Sequence, residues 1–342
     1  MVSETTVRGL DRPRLTPSVF GARTRLCLAE QVVLAFFAYV AVAGFVLDLP
    51  GRGIAVVTTL NAAAFATLMT LRRNRWRAPW LAAAADLFPT LVILIAYRES
   101  GFLLRPDRAH YLDYVFIQWD RALVHSHFVQ TALQAGAPWC QHYLEFAYLL
   151  CYPLVPLGAA AIRFATRQSA ENAAPLSWRR QPTGYRLQSR GFAGASGGTG
   201  ASAVPGSLAM DDYWSTVLLA SLFSYAVYPF FPLTPPRVLF GDVPGPHVEP
   251  LLRQWNFWLL DHFSVQACMF PSGHVAATTA VALAVRKHAP RLGALFLFIA
   301  GSVAIATVYG RYHYTADALA GALVGVAAFT YSSGKCPPAF PR

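Results

Sequence analysis

Long apolar runs alternate with short polar connections along the chain. A helix needs about 20 mostly apolar residues to cross the bilayer core, and about eight runs approach that length. They occupy residues 28–48, 53–71, 80–97, 142–162, 213–231, 271–288, 292–309 and 313–331. The pattern predicts an all-α, polytopic membrane helix bundle with about eight transmembrane helices.

The composition also indicates a membrane protein. Of the 342 residues, 55% are hydrophobic and only 13% are charged, which is too apolar for an ordinary soluble domain. We predict a single membrane domain over residues 28–331, between an N-terminal segment 1–27 and a tail 332–342. The Gly, Ala and Ser-rich stretch 191–206 is aperiodic and predicts a flexible loop, which we place at 164–211.

The positive charges predict how the helices are oriented. The net charge is +11, and arginines cluster before the first run and after the second, fourth and sixth. Such clusters mark cytoplasmic loops, so both termini and the loop 164–211 are predicted to be cytoplasmic. The loops 98–141 and 232–270 then lie on the extracytoplasmic side of a cell or inner membrane. This alternation explains the basic charge without nucleic acid as a partner.

The cysteines give no sign of a metal site. None of the five forms a Cys-x-x-Cys pair, which argues against zinc or redox chemistry, and we expect no metal and no cofactor. Cys140 and Cys268 are predicted to share the outer side and could form a disulfide. Further histidines on that side lack the spacing and carboxylate neighbours of metal ligands. They are His125, His127, His142, His247 and His262.

One polar motif opens the sixth apolar run. In "CMFPSGHVAATTAVALAV" (268–285), Pro271 suits the first position of a helix, and Ser272 and Gly273 leave backbone N–H groups open. These donors and the positive end of the helix dipole predict a binding site for a phosphate group. His274 is predicted to lie at the edge of this site as a proton donor.

A second motif, "YGRYHYTADALAG" (309–321), opens the last run. His313 and Asp317 are four residues apart and are predicted to share one helix face. The carboxylate can accept from one ring nitrogen and expose the other as a nucleophile or base. Arg311 in this motif, and Arg237 in "PLTPPRVLF" (232–240), supply donors for phosphate oxygens. The catalytic motifs therefore fall within residues 232–321.

Each of these residues also has a purely structural interpretation. A histidine at a membrane interface is often a polar belt residue, and Asp317 could be a first-turn acid that the helix dipole favours. Arg237 and Arg311 could be interfacial anchors. The convergence of all of them on one predicted face of the membrane favours catalysis.

Other polar residues stand within or beside the apolar runs. Asp86 is costly in lipid and must face a partner or water near the cytoplasmic end of its helix. Glu145 and Tyr148 fall near the outer face, where we expect them to line a lipid entrance. Trp119 and Asp120 predict an interfacial amphipathic helix.

With these residues the chain resembles the type 2 phosphatidic acid phosphatase superfamily. The Pro-Ser-Gly-His motif of that family matches at 271–274, and the His-x3-Asp half of its last motif matches at His313 and Asp317. Ala306 and Thr307 occupy the Ser-Arg positions of the last motif, and the lysine of the first motif is absent. The segments 235–237 and 311–317 resemble the branch that includes inositol phosphorylceramide synthases. The resemblance covers roughly residues 213–331.

The resemblance implies a six-helix core within the bundle and an enzyme that forms a phosphohistidine. By it, His313 attacks the phosphorus of a lipid phosphate or phosphodiester, and Asp317 orients His313. His274 protonates the leaving group and then activates the acceptor. The residues that would bind the phosphate oxygens are Arg237, Arg311, Ser272 and Gly273.

The sequence leaves the outcome of this chemistry open. Water as the acceptor makes the protein a phosphatase, and an alcohol makes it a phosphotransferase. A transporter or flippase for a phospholipid or polyprenyl phosphate could use the same basic pocket without turnover, and a catalytically silent scaffold could retain the fold. The predicted partners are membrane lipids, with a lipid phosphate or phospholipid as the substrate.

Overall fold

The computed structural model describes residues 26–47, 50–104, 112–124, 138–173, 205–241, 251–265 and 267–335. The helices of the N-terminal half are α1 (Leu28–Val46), α2 (Gly51–Asn74), α3 (Pro79–Phe102), α4 (Asp113–Val124), α5 (Pro138–Leu149) and α6 (Cys151–Ala173). Those of the C-terminal half are α7 (Pro205–Val227), α8 (Pro236–Leu239), α9 (Leu251–Phe263), α10 (Gly273–His288), α11 (Pro290–Tyr309) and α12 (Thr315–Ser333). A short antiparallel ladder joins β1 (Pro232–Leu233) to β2 (Cys268–Met269).

Every predicted apolar run coincides with helix, but the fourth run is broken. Its two parts, α5 and α6, meet at an angle of 61° near Leu150. Pro153 explains the break, because it has no N–H to donate and its ring would clash with the carbonyl of Leu149 in a continuous helix. The bend lies beside the candidate site, where it brings Tyr148 and Tyr152 together.

The predicted count of eight spans is not confirmed. Five helices are long and apolar enough to cross a membrane (α1, α2, α3, α11 and α12), and the bent pair α5–α6 raises the number to six. The difference lies in α7 and α10, which other helices largely enclose: α7 buries Tyr213 and Trp214, and α10 buries most of its 16 residues. Helix α7 faces protein and carries polar side chains that lower its hydropathy, whereas α10, with 16 residues, is shorter than a typical membrane span.

Helices also extend into segments that we predicted as loop or tail. Residues 164–173 belong to α6 and residues 205–211 to α7, so both ends of the predicted loop 164–211 are helical. The last helix continues to Ser333, into the predicted tail 332–342. Residues 174–204 and 336–342, and most of the segment 1–27, lie outside the described residues.

Small residues allow α12 to approach α10 closely. A Cβ added to Gly321 would lie 2.5 Å from the carbonyl oxygen of Ser272, and one added to Gly325 would lie 2.8 Å from that of Ala276. The two glycines are four residues apart, a spacing that brings membrane helices into backbone contact. This contact places the start of α12 against the start of α10.

Ion pairs cluster at the end of the bundle opposite the two histidine motifs, and the pair of Arg72 with Asp211 joins the N-terminal helices to the C-terminal half. Asp86 on α3, which we expected to require a partner, pairs with Arg75 and Arg163. The other pairs at this end are Arg72 with Glu30 and Asp211, and Asp212 with Lys287 and His288. Because the acids are largely buried and each has a basic partner, the polar loops are tied to the bundle.

Candidate active site

The segment before α10 holds the Pro-Ser-Gly-His motif. Ser272 is the N-cap of α10, and its side chain accepts from the N–H of Val275 at 3.5 Å. Pro271 was predicted at the first helical position, which is wrong: it precedes the N-cap, and a cis peptide bond joins it to Phe270. The Ser272 N–H is not open either, because it donates to the carbonyl of Asp317 at 3.2 Å.

A tight turn between α11 and α12 holds His313. The carbonyl of Thr307 accepts from the N–H groups of both Tyr312 and His313, at 2.9 and 3.1 Å. Arg311 has a φ of 59°, in the left-handed region, which reverses the chain within four residues. The last motif is therefore bound to the end of α11 by backbone hydrogen bonds.

His313 and Asp317 meet, although not for the predicted reason. His313 lies in the turn before α12 and Asp317 in the first turn of α12, so they do not share a helix face. The turn nevertheless brings Nδ1 of His313 within 2.5 Å of Oδ2 of Asp317. Since Asp317 is fully buried, its carboxylate fixes the tautomer that carries the proton on Nδ1 and leaves Nε2 as the basic nitrogen.

The two histidines face each other across the start of α10. Their ring centroids are 5.8 Å apart, with the planes inclined by 76°. Tyr148 and Tyr152 contact the His274 ring edge-on, at 5.8 and 5.6 Å. Aromatic rings thus pack against His274 and restrict its ring.

A cavity of about 610 Å³ opens onto both histidines. One end is polar, with His274, His313, Gly273 and Arg237 in its wall. The remaining wall is mostly apolar or aromatic, apart from Arg98, Thr90 and Ser264, and comes mainly from α3, the bend between α5 and α6, α7 and α9. This volume lies within the range of small-molecule sites, and the division suits a molecule with one anionic end and one apolar end.

The two predicted arginines occupy different positions. Arg237 on α8 lines the cavity, and its N–H donates to the carbonyl of Arg311 at 2.9 Å. The Arg311 guanidinium is turned toward the carbonyl of Phe240, 3.4 Å away, and does not belong to the cavity wall. Partial burial and the nearby Arg253 lower the pKa of Arg311. The structure therefore brings Arg237, but not the side chain of Arg311, into the wall beside the histidines.

A buried ionic network behind the histidines was missed in the sequence. Glu145, predicted to line a lipid entrance, is only 2% exposed and accepts from Arg253, Asn256 and Tyr312 at 2.6 to 2.9 Å. Tyr312 in turn stacks on Tyr148, with the ring centroids 3.9 Å apart. The network connects α5 and α9 to the turn that holds His313. Tyr148, unlike Glu145, does line the cavity.

Other candidate groups remain apart from this site. Cys140 is a free thiol, so the structure shows no disulfide at that residue. His142 and His262 contact backbone carbonyls of their own helices, while His125, His127 and His247 lie outside the described residues. Within the described part of the chain, no group of three or more His, Cys, Asp or Glu side chains could hold a metal ion.

Comparison with known families agrees with this geometry. The model of the PAP2 superfamily matches residues 207–331, which contain both histidines, Asp317 and both arginines. The chain carries a PAP2 superfamily domain. It is an integral membrane protein, and the matched domain lies in its C-terminal half.

The similarity to curated proteins is local. A PA-phosphatase related-family protein from Dictyostelium discoideum is 39% identical over 71 residues. These residues are 21% of this chain but only 13% of the length of that relative. No solved structure matches the chain. The comparisons therefore support the PAP2 domain and do not extend to the branch of inositol phosphorylceramide synthases.

The contact between Gly321 and Ser272 predicts a sensitive position. We expect Gly321→Ala to lower the free energy of unfolding by about 1 to 3 kcal/mol, because the added methyl group would overlap the Ser272 carbonyl. Thermal unfolding in detergent would measure the change. Gly301→Ala is the matched control, since a Cβ there meets nothing within 4 Å, and it should leave stability unchanged or raise it. Equal effects of the two substitutions would contradict the close contact.

Proposed function

We propose that the protein is an integral membrane lipid phosphatase or phosphotransferase that acts through a phosphohistidine on His313. The observation that carries this proposal is the pair of His313 and Asp317 at 2.5 Å, with His274 opposite it in a cavity that is polar at one end and apolar at the other. A PAP2 domain over the same residues supports it.

His313 is the proposed nucleophile. Its Nδ1–H donates to Asp317, so Nε2 carries the lone pair that attacks the phosphorus of a lipid phosphate or phosphodiester. A bond forms between Nε2 and phosphorus while the bond from phosphorus to the leaving oxygen breaks. The buried carboxylate stabilises the positive charge that develops on the ring.

His274 is the proposed general acid and base. In the first step it gives a proton to the leaving oxygen, and in the second it takes a proton from water or an alcohol that attacks the phosphohistidine. Its ring lies beside that of His313 at a centroid distance of 5.8 Å, and both rings line the same cavity, so both can act on one phosphate bound there. The second step breaks the bond between Nε2 and phosphorus and restores both histidines.

Basic and backbone groups complete the proposed phosphate site. Arg237 and Gly273 line the cavity beside the histidines and are placed to contact the equatorial oxygens. Ser272 holds the first turn of α10, and Arg311 holds the Arg237 segment through its carbonyl. In this geometry Arg237 is the best-placed cation, and Arg311 reaches phosphate only after its side chain leaves the Phe240 carbonyl.

The cavity and the motifs also bear on the substrate and the acceptor. An apolar wall continuous with a histidine and arginine end fits a lipid whose phosphate lies at the membrane surface. The Pro-Pro-Arg segment 235–237 and the run 311–317 resemble the synthase branch, which favours transfer to an alcohol. Arginine clusters at the opposite end of the bundle support an extracytoplasmic site with both termini in the cytoplasm.

Loss of the nucleophile should abolish turnover. We expect His313→Ala to lower kcat by at least about 1,000-fold on a panel of lipid phosphates and phosphodiesters, with or without alcohol acceptors. Rapid quenching with ³²P-labelled substrate should trap an acid-labile, base-stable phosphoprotein in wild type only. His262→Ala, in an exposed part of α9, is the control and should retain turnover. Transport of substrate across vesicles with no product would instead favour the flippase.

The role of His274 predicts a dependence on the leaving group. We expect His274→Ala to slow the release of a lipid alkoxide by about 100- to 10,000-fold, because that oxygen needs a proton. A substrate with a nitrophenolate leaving group needs no proton, so phosphohistidine should still form on it and then accumulate. An equal loss on both substrates, without accumulation, would rule out His274 as the acid.

The proposed orientation predicts sidedness. A water-soluble, membrane-impermeant phosphate substrate should be turned over by right-side-out vesicles without permeabilisation, because the site faces the extracytoplasmic side. Inside-out vesicles should require detergent for the same turnover, with a cytoplasmic enzyme as the marker of orientation. The reverse result would place the site in the cytoplasm.

A further inference from the structure

The amphipathic helix α4 lies outside the PAP2 domain but contacts the segments that carry the motif residues. Its inner stripe follows a helical spacing of three and four residues. The stripe consists of Asp113, Phe116, Ile117 and Asp120. None of the described residues of α4 lines the cavity. Its contacts with the site are therefore made from behind the reacting groups.

Asp113 holds the segment that leads to Arg237. Its two carboxylate oxygens accept from the N–H and the hydroxyl of Thr234, each at 2.7 Å. The N–H of Leu112 donates to the carbonyl of Pro232 at 3.3 Å, so the start of α4 is joined to β1. Thr234 is followed by Pro235 and Pro236, which leave little freedom between this anchor and Arg237.

Asp120 caps the helix that carries Asp317. The N-cap residue of α12 is Tyr314, which has no side-chain oxygen within reach of the first turn, so the helix lacks a cap of its own. Asp120 Oδ1 takes this place and accepts from the N–H groups of Thr315 and Ala316 at 2.8 and 3.4 Å. A carboxylate at a helix N-terminus also interacts favourably with the dipole.

Phe116 connects α4 to the remaining segment. It is 1% exposed, and its ring contacts those of Phe270 and Tyr314, with centroids 5.2 and 5.8 Å apart. Phe270 directly precedes the Pro-Ser-Gly-His motif, and Tyr314 directly follows His313. One rigid helix thus holds the three segments that carry Arg237, His274 and His313.

The exposed face of α4 carries an apolar stripe. Val115 is 39% exposed, Trp119 48% and Leu123 51%, and each lies four residues after the one before it. The helix follows the end of α3, which is long and apolar enough to span the membrane, so it lies close to the bilayer surface. Aromatic side chains on such a helix favour the interface between lipid and water.

We infer that α4 is a membrane-docked clamp, in which Asp113 and Asp120 are positioning residues and the exposed face rests on the bilayer surface. The inference deepens the proposed function, on which its kinetic part rests. The bilayer fixes α4, and α4 fixes the relative positions of the two histidines and Arg237. Contact with the membrane surface thereby becomes a condition for a correctly assembled site.

The first arm of the test compares Asp120→Ala with Asp120→Asn in nanodiscs. Loss of the cap displaces the first turn of α12, so Asp120→Ala should lower kcat by about 100-fold with little change in KM, because α4 does not contact the substrate cavity. The asparagine oxygen still accepts from both N–H groups, so Asp120→Asn should restore most of kcat. Unchanged kcat in Asp120→Ala, or an equal loss in both variants, would overturn the role of Asp120.

Hydrogen exchange provides a readout that does not depend on turnover. In Asp120→Ala, the amides of Thr315 and Ala316 should lose protection while those in the middle of α12 keep theirs. If wild type turns over no lipid phosphate but this local loss appears, the proposed function fails and the positioning contact stands. Unchanged protection at both amides would overturn the contact whatever the activity.

The second arm tests the outer face. The double variant Val115→Ser and Leu123→Ser should lose protection of α4 amides in nanodiscs of phosphatidylcholine and phosphatidylglycerol, and its kcat should fall toward the value measured in detergent. The matched control, Trp76→Ser with Trp80→Ser, removes exposed aromatic side chains near the other end of α3 and should behave as wild type. Equal protection of α4 in nanodiscs and detergent for wild type would overturn docking to the bilayer.

Discussion

The turn between α11 and α12 is the constraint on which the candidate site depends. Thr307 accepts two backbone N–H groups there, and Arg311 enters the left-handed region, which costs a residue with a side chain about 1 kcal/mol. Three features follow from this one reversal. His313 faces Asp317, the Arg311 carbonyl receives the N–H of Arg237, and the Tyr312 hydroxyl reaches Glu145. A displaced turn would alter all three together.

The buried network around Glu145 stabilises this turn from behind. A carboxylate removed from water is costly unless its lone pairs are satisfied, and here an arginine, an amide and a phenol donate to it. Burial and the neighbouring carboxylate raise the pKa of Tyr312, so its hydroxyl stays protonated as a donor. The same residue stacks on Tyr148, which touches His274. Tyr312 therefore connects the turn that holds His313 to the tyrosine that contacts His274.

Local patterns in the sequence predicted the long helices and the motif residues well. Apolar length identified the long helical runs but not α9, which falls within the predicted loop 232–270, and the motifs identified His274, His313 and Asp317, which the structure brings together. The spacing of four residues identified the right pair for the wrong reason. Two side chains four residues apart can meet on one face of a helix or across a turn, and the sequence does not distinguish the two cases. Hydropathy alone could not distinguish α7 and α10, whose neighbours are other helices, from helices that face lipid.

Contacts between residues that are far apart along the chain left no comparable pattern in the sequence. Arg253 and Glu145 are separated by 108 positions, and Asp120 and Thr315 by 195, so no periodicity relates them. The spacing of Gly321 and Gly325 did carry information, since two small residues four apart mark close helix packing, and it was overlooked. Trp119 and Asp120 indicated an amphipathic helix, but the pattern could not show what its polar side would cap.

The two halves of the chain contribute different parts of the cavity wall. Residues within the PAP2 domain supply the groups that can act on phosphate: both histidines, Gly273 and Arg237. Helix α3 and the bend between α5 and α6, outside the domain, supply much of the apolar wall. In the proposed function, chemistry at phosphorus would require the first set, whereas the shape of the lipid that fits would depend on the second. A common domain can therefore retain its histidine geometry while the preceding helices change the substrate that reaches it.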